Sequence, residues 1–168
     1  MKTLYLLRHA HTLPAAPPGL DDHERMLSAR GMEEAQKTGM FMRERGLFPD
    51  LVLVSSAVRA TRTAHLILDT LFHGTGGGAA CRSERGLYQV SAQKILNEIR
   101  KTDDSIRRLM LVGHNPGVSE LAATLDKTGN PLRFESIAPG TLAVFRAECA
   151  EWKDFPPDSS ALEIFFAP

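Results

Sequence analysis

An apolar run that ends abruptly in charged residues constrains this chain more than any other feature. Residues 4–7 read Leu-Tyr-Leu-Leu, and Arg8 and His9 follow at once. A short apolar run without alternation is typical of a strand that is buried on both faces of a parallel sheet. In an open α/β sheet, ligands bind just beyond the carboxyl ends of the strands. The sequence therefore places Arg8 and His9 where a binding site is expected.

Two further stretches repeat this design. The apolar runs 51–54 and 109–112 are each followed by polar residues, among them Arg59 after the first run and His114 after the second. Parallel strands end at the same edge of a sheet, so we expect the three groups to meet there. Helix N-termini at that edge favour anions, and the arginine fork matches phosphate oxygens. The pattern therefore predicts a site for a phosphate dianion.

A phosphate site that contains two histidines suggests covalent transfer of the phosphoryl group. A neutral imidazole nitrogen can attack phosphorus and hold the group as an intermediate. We assign His9 as the nucleophile because it lies at the strand end beside Arg8. Arg8 and Arg59 are expected to spread the charge that develops on the phosphoryl oxygens, and His114 to lie beside them as a hydrogen-bonding cation. This chemistry needs no metal and no cofactor.

Helices are predicted between the strands. The first begins after the N-cap Ser28 and ends near residue 45. Its apolar stripe, which is spaced to face a sheet, runs from Met32 to Met42. Further helices are predicted from Ala57 to about Phe72, from Ser91 to about Lys101, and after His114, with Asn115 as the N-cap and Pro116 as the first helical residue.

The order of the elements predicts the fold class. Strands that alternate with helices favour a mainly parallel sheet that is covered on both faces. We therefore predict an α/β fold, a three-layer α/β/α sandwich whose mostly parallel central sheet has about six strands, one of them antiparallel. It is predicted to form a single domain over residues 1–168. The predicted strands cover residues 3–7, 51–54, about 81–85, 109–112, 141–145 and 162–166.

Composition narrows the classes of partner. The net charge is zero, so long-range attraction to nucleic acid or to an anionic membrane is not indicated. The two cysteines, Cys81 and Cys149, show no CxxC spacing and fit a reducing compartment. We find neither a signal-peptide pattern nor an apolar run of membrane-spanning length. These features predict a cytoplasmic monomer without nucleic-acid or membrane partners.

Three motifs in order make the sequence resemble the histidine phosphatase superfamily. That family carries Arg-His-Gly/Ala after its first strand, and residues 8–10 read Arg-His-Ala. Its second arginine lies in a Ser-x-x-x-Arg-Ala-x-x-Thr-Ala segment, which residues 55–64 match with Arg59. Its second histidine lies in a Gly-His-Asn-Pro segment, which residues 113–116 match with His114. The resemblance covers nearly the whole chain and implies a phosphatase.

Within that superfamily the chain is similar to the small bacterial phosphohistidine phosphatases. Residues 25–31 fit their Arg-x-Leu-Ser/Thr-x-x-Gly pattern, and Leu87-Tyr88 precedes a short helix, as it does in that group. Mutases and sugar phosphatases of the superfamily carry long insertions that wall off the pocket, whereas this chain is too short for much of a lid. The resemblance therefore implies an open site, which suits phosphate presented on another protein.

Several roles stay open. The superfamily often uses a carboxylate after the third strand as proton donor, and Glu84 is the nearest candidate. Ser56 and Arg25 are candidate phosphate contacts, although Ser56 can equally cap a helix. The lack of a clear acid favours a phosphoramidate over an alkyl ester, because a phosphorylated imidazole is already a good leaving group. The residues without an assigned chemical role are His11 at the site mouth, Arg62 on the surface, Tyr88 in the packing, and His23, His65 and His73.

These interpretations lead to one function and two alternatives. We predict a metal-independent phosphatase that works through phosphorylated His9, with phosphohistidine on a partner protein as the favoured substrate. A small phosphorylated molecule is the alternative substrate. A non-catalytic module that binds phosphate is the alternative class of protein, and turnover by wild type and by a His9→Ala variant separates the two classes.

Overall fold

Strands and helices alternate along the chain as the sequence predicts. The computed structural model describes residues 1–127, 134–155 and 160–168. None of the helices in these ranges is long and apolar enough to cross a membrane. The order is β1 (Lys2–Arg8), α1 (Ala29–Glu44), β2 (Leu51–Ser55), α2 (Val58–Leu71), β3 (Ala80–Glu84), α3 (Ala92–Arg100), β4 (Arg108–Gly113), α4 (Gly117–Leu125), β5 (Leu142–Ala147) and β6 (Ser160–Phe166).

The strands form one mixed sheet in the order β3-β2-β4-β1-β5-β6. β1 is parallel to β4, and β2 is parallel to both β3 and β4. β5 is antiparallel to both of its neighbours, β1 and β6, so the other five strands share one direction. The predicted α/β class, with a mostly parallel six-stranded sheet and one reversed strand, is confirmed.

β1 lies inside the sheet and is buried on both of its faces, as its apolar run predicts. Leu4 and Leu6 belong to an apolar cluster that includes the inward residues of α3 and α4. Tyr5 and Leu7 belong to a second cluster that includes the inward residues of α1 and α2. Two helices therefore cover each face of the sheet, and the three layers place the ends of β1, β2 and β4 at one edge.

Serine side chains cap two of the helices. The Ser28 hydroxyl accepts a hydrogen bond from the backbone N–H of Gly31, and the Ser91 hydroxyl accepts one from Lys94. Both helices begin directly after these residues, as predicted. Each of α2, α3 and α4 also buries one apolar face. Capping and apolar spacing were therefore sufficient to place these helices on the sheet.

The predicted apolar stripe of α1 is wrong at its first member. Met32 is 39% exposed, and the buried positions near it are Gly31, Glu34 and Thr38. The physical reason is that this face of α1 packs against the segment after β1. A Cβ atom on Gly31 would lie only 1.9 Å from the carbonyl oxygen of His11. Apolar spacing could not reveal this contact because a glycine and polar side chains make it.

The predicted N-cap of α4 is also wrong. The helix begins at Gly117, its N-cap is Pro116, and the peptide bond between Asn115 and Pro116 is cis. The Asn115 side chain caps no helix, because its Nδ2 donates to the carbonyl oxygen of Ile137 at 3.2 Å. Asn115 therefore connects the end of β4 to the segment that leads into β5.

Candidate active site

A cavity of about 250 Å³ lies at the carboxyl ends of β1 and β4. The parallel register pairs Arg8 with Gly113, so His9 and His114 follow the two strands side by side. Arg59 reaches the same cavity from the first turn of α2. The four principal residues proposed from the sequence therefore line one cavity. The other lining residues are His11, Thr12, Arg25, Gln89, Asn115 and Pro139.

His9 is held as a neutral imidazole with one defined tautomer. Its Nδ1 lies 2.8 Å from the carbonyl oxygen of Ala10. A carbonyl oxygen can only accept, so Nδ1 carries the proton and Nε2 keeps its lone pair. Burial lowers the pKa of His9 to about 4, and the guanidinium groups of Arg59 and Arg8 act in the same direction. At neutral pH the ring is therefore uncharged, as a nucleophile requires.

His114 lies against His9, with 5.0 Å between the ring centroids. Its Nε2 lies 2.7 Å from the hydroxyl oxygen of Ser55, and its Nδ1 is buried without a partner among the described residues. Burial lowers the pKa of His114 to about 3, and His9 and Arg59 add to this effect. The protein groups alone therefore favour a neutral His114. A cationic His114 beside a bound phosphate stays a prediction. A phosphate dianion would act on this pKa in the opposite direction.

The two arginines bring donors that the surrounding protein does not use. Arg59 is only 1% exposed, and its Nε is buried without a hydrogen-bond partner within the described ranges. The Nε of Arg8 is in the same situation, while its Nη1 donates to the carbonyl of Ile137. Buried polar groups are nearly always paired in folded proteins. Together with Nδ1 of His114, these nitrogens fit an oxyanion as the missing acceptor.

The reversed strand β5 also contributes to this edge of the sheet. Because β5 runs against β1, the segment that enters it lies beside the carboxyl end of β1. The carbonyl of Ile137 accepts from the side chains of Arg8 and Asn115. The backbone N–H of Gly140 lies 3.1 Å from the carbonyl oxygen of His9. This entry segment, residues 137–141, therefore orders the backbone and side chains that follow β1.

The comparisons with known proteins concern the sequence and the fold. No protein-family model matches the sequence. The chain is 33% identical to the uncharacterized protein Rv1276c of Mycobacterium tuberculosis over 168 residues, which cover 96% of this chain and 99% of the relative. A structure from Agrobacterium tumefaciens, provisionally assigned as the phosphohistidine phosphatase SixA, is 26% identical with a TM-score of 0.81, and the match covers 99% and 98% of the two chains. The chain belongs to the histidine phosphatase superfamily.

A second SixA structure shows the same fold. The protein from Nakamurella multipartitia, also assigned provisionally, has a TM-score of 0.83 at 24% identity, and the match covers 99% of this chain and 96% of that chain. The neighbours support a phosphatase enzyme for this chain as well. They do not test which residues act, so the roles of individual residues rest on the geometry of this histidine phosphatase itself.

Asp22 is a site residue that the sequence analysis missed. It begins a short 3-10 turn, Asp22–Glu24, in the proline-rich loop after β1. Its Oδ2 accepts hydrogen bonds from Nη2 of Arg59 and from the hydroxyl of Tyr88, both at 2.9 Å. Its Oδ1 lies 3.0 Å from Nε of Arg25. The spacing of Asp22 and Arg25, three residues apart in a loop, was the available signal for such a charged turn.

Tyr88 and His23 also take part in this histidine phosphatase site, although no role was assigned to either. The Tyr88 ring lies edge-on to the His114 ring, with 5.5 Å between the ring centroids. Cζ of Arg59 lies 5.6 Å from the centroid of the Tyr88 ring. The ring of His23 lies 5.0 Å from that of Tyr88. The Nε2 of His23 lies 2.9 Å from the Ser56 hydroxyl. These two side chains therefore form one rim of the site.

The structure brings some of the secondary candidates to the cavity and not others. Arg25 and His11 line it, whereas Glu84, Ser56 and the exposed Arg62 do not. Glu84 ends the edge strand β3, which is separated from β1 by β2 and β4. The Ser56 hydroxyl points to His23 instead. The proposed proton donor is therefore misplaced, because the end of an edge strand lies too far along the sheet.

A buried carboxylate holds the backbone of His11, which lines the cavity. Glu34 of α1 accepts from the backbone N–H of His11 at 2.8 Å and from Nε of Arg30 at 2.8 Å. Glu34 was not predicted, because an acidic residue on a helix is usually solvated.

Within residues 1–127, 134–155 and 160–168, no group of three or more His, Cys, Asp or Glu side chains could hold a metal ion.

Proposed function

We propose that this protein hydrolyses phosphohistidine on another protein through a phosphorylated His9. One observation carries the proposal. The lone pair of His9 Nε2 is free, in a cavity where Nε of Arg8, Nε of Arg59 and Nδ1 of His114 belong to lining residues and lack acceptors among the described residues. A nucleophile beside several unused donors is the arrangement that phosphoryl transfer needs.

The proposed reaction has two steps. Nε2 of His9 attacks phosphorus, the phosphorus–nitrogen bond of the substrate breaks, and the substrate ring, which is protonated on its other nitrogen, takes the electron pair and leaves as neutral imidazole. Water then attacks the phosphorus on His9, releasing inorganic phosphate and restoring the neutral ring. The Ala10 carbonyl, which accepts from Nδ1–H, supports the charge on the phosphorylated imidazole. Arg8, Arg59 and His114 donate to the phosphoryl oxygens in both steps.

The groups that line the cavity support the proposed substrate class. Among the described residues, those that line the cavity include no aspartate or glutamate. General acid catalysis typically contributes about 10²–10⁴-fold, and an alkyl phosphate ester needs it more than a phosphoramidate does. Among the nearby carboxylates, Asp22 has its pKa lowered by Tyr88, Arg59 and Arg25, which oppose its partial desolvation, so it is ionised at neutral pH. These features favour a substrate whose leaving group is imidazole.

The test compares substrates and variants in one assay. We expect a phosphohistidine peptide to be turned over about 100-fold faster than a sugar phosphate. The His9→Ala variant should lose this turnover, while His65→Ala, which removes an exposed histidine of α2, should keep it. Brief incubation with substrate should add the mass of one phosphoryl group to the wild type and to His65→Ala but not to His9→Ala, and a chelator should change none of the rates.

Three outcomes would contradict the proposal. Comparable rates on phosphohistidine and sugar phosphate would indicate a small-molecule phosphatase. Binding of phosphopeptide without turnover would indicate a non-catalytic module. Loss of activity with a chelator would indicate a metal-dependent reaction.

A further inference from the structure

Arg59 is held by Asp22 on both of its terminal nitrogens. Its Nη1 donates to the backbone carbonyl of Asp22 at 2.6 Å, and its Nη2 donates to the Asp22 carboxylate at 2.9 Å. Nε of Arg59 stays buried without a partner in the described part of the chain. Asp22 therefore fixes the plane of the guanidinium group and leaves the N–H of Nε for another acceptor.

The other contacts of Asp22 fix the carboxylate itself. Oδ2 also accepts from the Tyr88 hydroxyl at 2.9 Å and from Nε2 of Gln89 at 3.3 Å, and Oδ1 lies 3.0 Å from Nε of Arg25. Tyr88 and Gln89 are adjacent in the segment after β3, and Arg25 lies three residues after Asp22, so these contacts come from two parts of the chain. Asp22 is half exposed on its outer side and is not among the residues that line the cavity. It thus acts on the site through its neighbours.

We infer that Asp22 is a positioning residue, which holds the guanidinium group of Arg59 so that its Nε–H remains free for a phosphoryl oxygen. This inference rests on the proposed function, because it assigns Asp22 to the same phosphate site. It differs from two other roles for the carboxylate. A proton donor would act on the leaving group without Arg59, and a mere counter-charge would weaken phosphate binding by its presence.

A double-mutant cycle on Asp22 and Arg59 tests the inference, with inorganic phosphate as the probe in calorimetric titrations. We expect Asp22→Ala to weaken phosphate binding about 10- to 100-fold, because Arg59 then loses the charged hydrogen bonds that hold its guanidinium group in place. In an Arg59→Met background, Asp22→Ala should change the affinity by less than about twofold, since no guanidinium group remains to be positioned. Asp22→Asn should recover most of the loss, because its amide oxygen can still accept from Nη2.

The matched control is Asp69→Ala, which removes one exposed carboxylate from α2 and leaves the site intact. It should leave the affinity for phosphate unchanged. Circular dichroism melting of each variant shows that the fold is retained, and Asp22→Asn keeps the test valid if Asp22→Ala unfolds. Tighter or unchanged phosphate binding in Asp22→Ala would overturn the inference. An equal loss in the Arg59→Met background would overturn it as well.

Turnover of a phosphohistidine peptide separates this inference from the proposed function. If the wild type binds phosphate but has no turnover, the proposed function fails, while coupling of Asp22 to Arg59 in binding still supports the inference. If the wild type is active and the two substitutions are additive in both binding and kcat/KM, the inference fails and the proposed function stands.

Discussion

Ser55 determines which nitrogen of His114 is available to the substrate. The Ser55 hydroxyl lies 2.7 Å from Nε2 of His114 and accepts from the backbone N–H of Ala57 at 3.4 Å. Nε2 is the acceptor that the described residues offer to the Ser55 hydroxyl proton, so the hydroxyl donates to Nε2 and the ring proton lies on Nδ1. Nδ1–H is the buried donor that has no partner in the described residues. A fully buried serine at the end of β2 thus prepares a neutral histidine to bind an oxyanion.

Replacement of this serine should therefore affect catalysis. We expect Ser55→Ala to lower kcat/KM for a phosphohistidine peptide about tenfold, because the preferred tautomer of His114 loses its support. Ser56→Ala is the matched control: its hydroxyl contacts His23 and does not line the cavity, so the rate should change by less than about twofold. Steady-state kinetics of both variants checks the prediction, and equal losses would contradict it.

At the scale of secondary structure, the close approach of α1 to α2 is the most demanding contact. A Cβ atom on Gly39 would lie 2.8 Å from Cβ of Thr70 and 2.9 Å from the carbonyl oxygen of Ile67. The Ile67 oxygen belongs to the helix backbone and cannot move without shifting α2. Gly39 is therefore required by space, since its position is helical and its φ is ordinary.

This contact predicts the effect of one methyl group. We expect Gly39→Ala to lower the free energy of unfolding by about 1–2 kcal/mol, since overpacking costs more than the helix propensity that alanine gains. Gly78→Ala is the control, because a Cβ there meets nothing within 4 Å. Urea unfolding of both variants measures the difference. A Gly39→Ala variant as stable as the wild type would show that the two helices separate easily.

The elements themselves could largely be predicted from the sequence, and the exceptions share one cause. Apolar periodicity and serine caps predicted the helices and the succession of strands along the chain, but not the order of the strands in the sheet. The errors at Met32 and Asn115 arose where polar atoms, and not apolar ones, decide the packing. Asp22 and Glu34 were missed for the same reason, because the contacts that bring them to the site, with Arg59 and with the backbone of His11, are made to distant parts of the chain. Such contacts leave no periodic trace in a sequence.

For the molecule as a whole, the two buried imidazoles connect stability to pH. The pKa of His9 falls from 6.5 to about 4 in the folded protein, and that of His114 falls to about 3. The unfolded chain therefore binds protons at these residues at a higher pH than the folded chain does. Their contribution to stability is complete above about pH 6.5 and is lost as the pH falls through the folded values near 4 and 3.

We accordingly expect the free energy of unfolding to decline between about pH 7 and pH 4.5, and to decline less in a His9→Gln variant. The exposed His65→Gln variant should show the full decline of the wild type. Urea titrations of the three proteins at both pH values give one difference in the free energy of unfolding for each protein. If His9→Gln and wild type lose the same free energy, protonation of His9 is not coupled to folding.

The whole chain carries no net charge, yet its site is cationic. Arg8, Arg25 and Arg59 line the cavity, and the Asp22 carboxylate contacts two of them. With both imidazoles neutral, this set carries about two positive charges, which matches a phosphate dianion. The sequence predicted the arginines through their motifs, but only the structure shows the carboxylate that limits their charge.

The reversed direction of β5 has a consequence for how this architecture can acquire new specificity. Its entry segment, residues 137–141, already touches the backbone of His9 and the side chain of Arg8. Extra residues added between Ile137 and Leu142 would lie beside His9 and Arg8 without lengthening a strand or altering the order of the sheet. An insertion there would therefore change which molecules can enter the cavity.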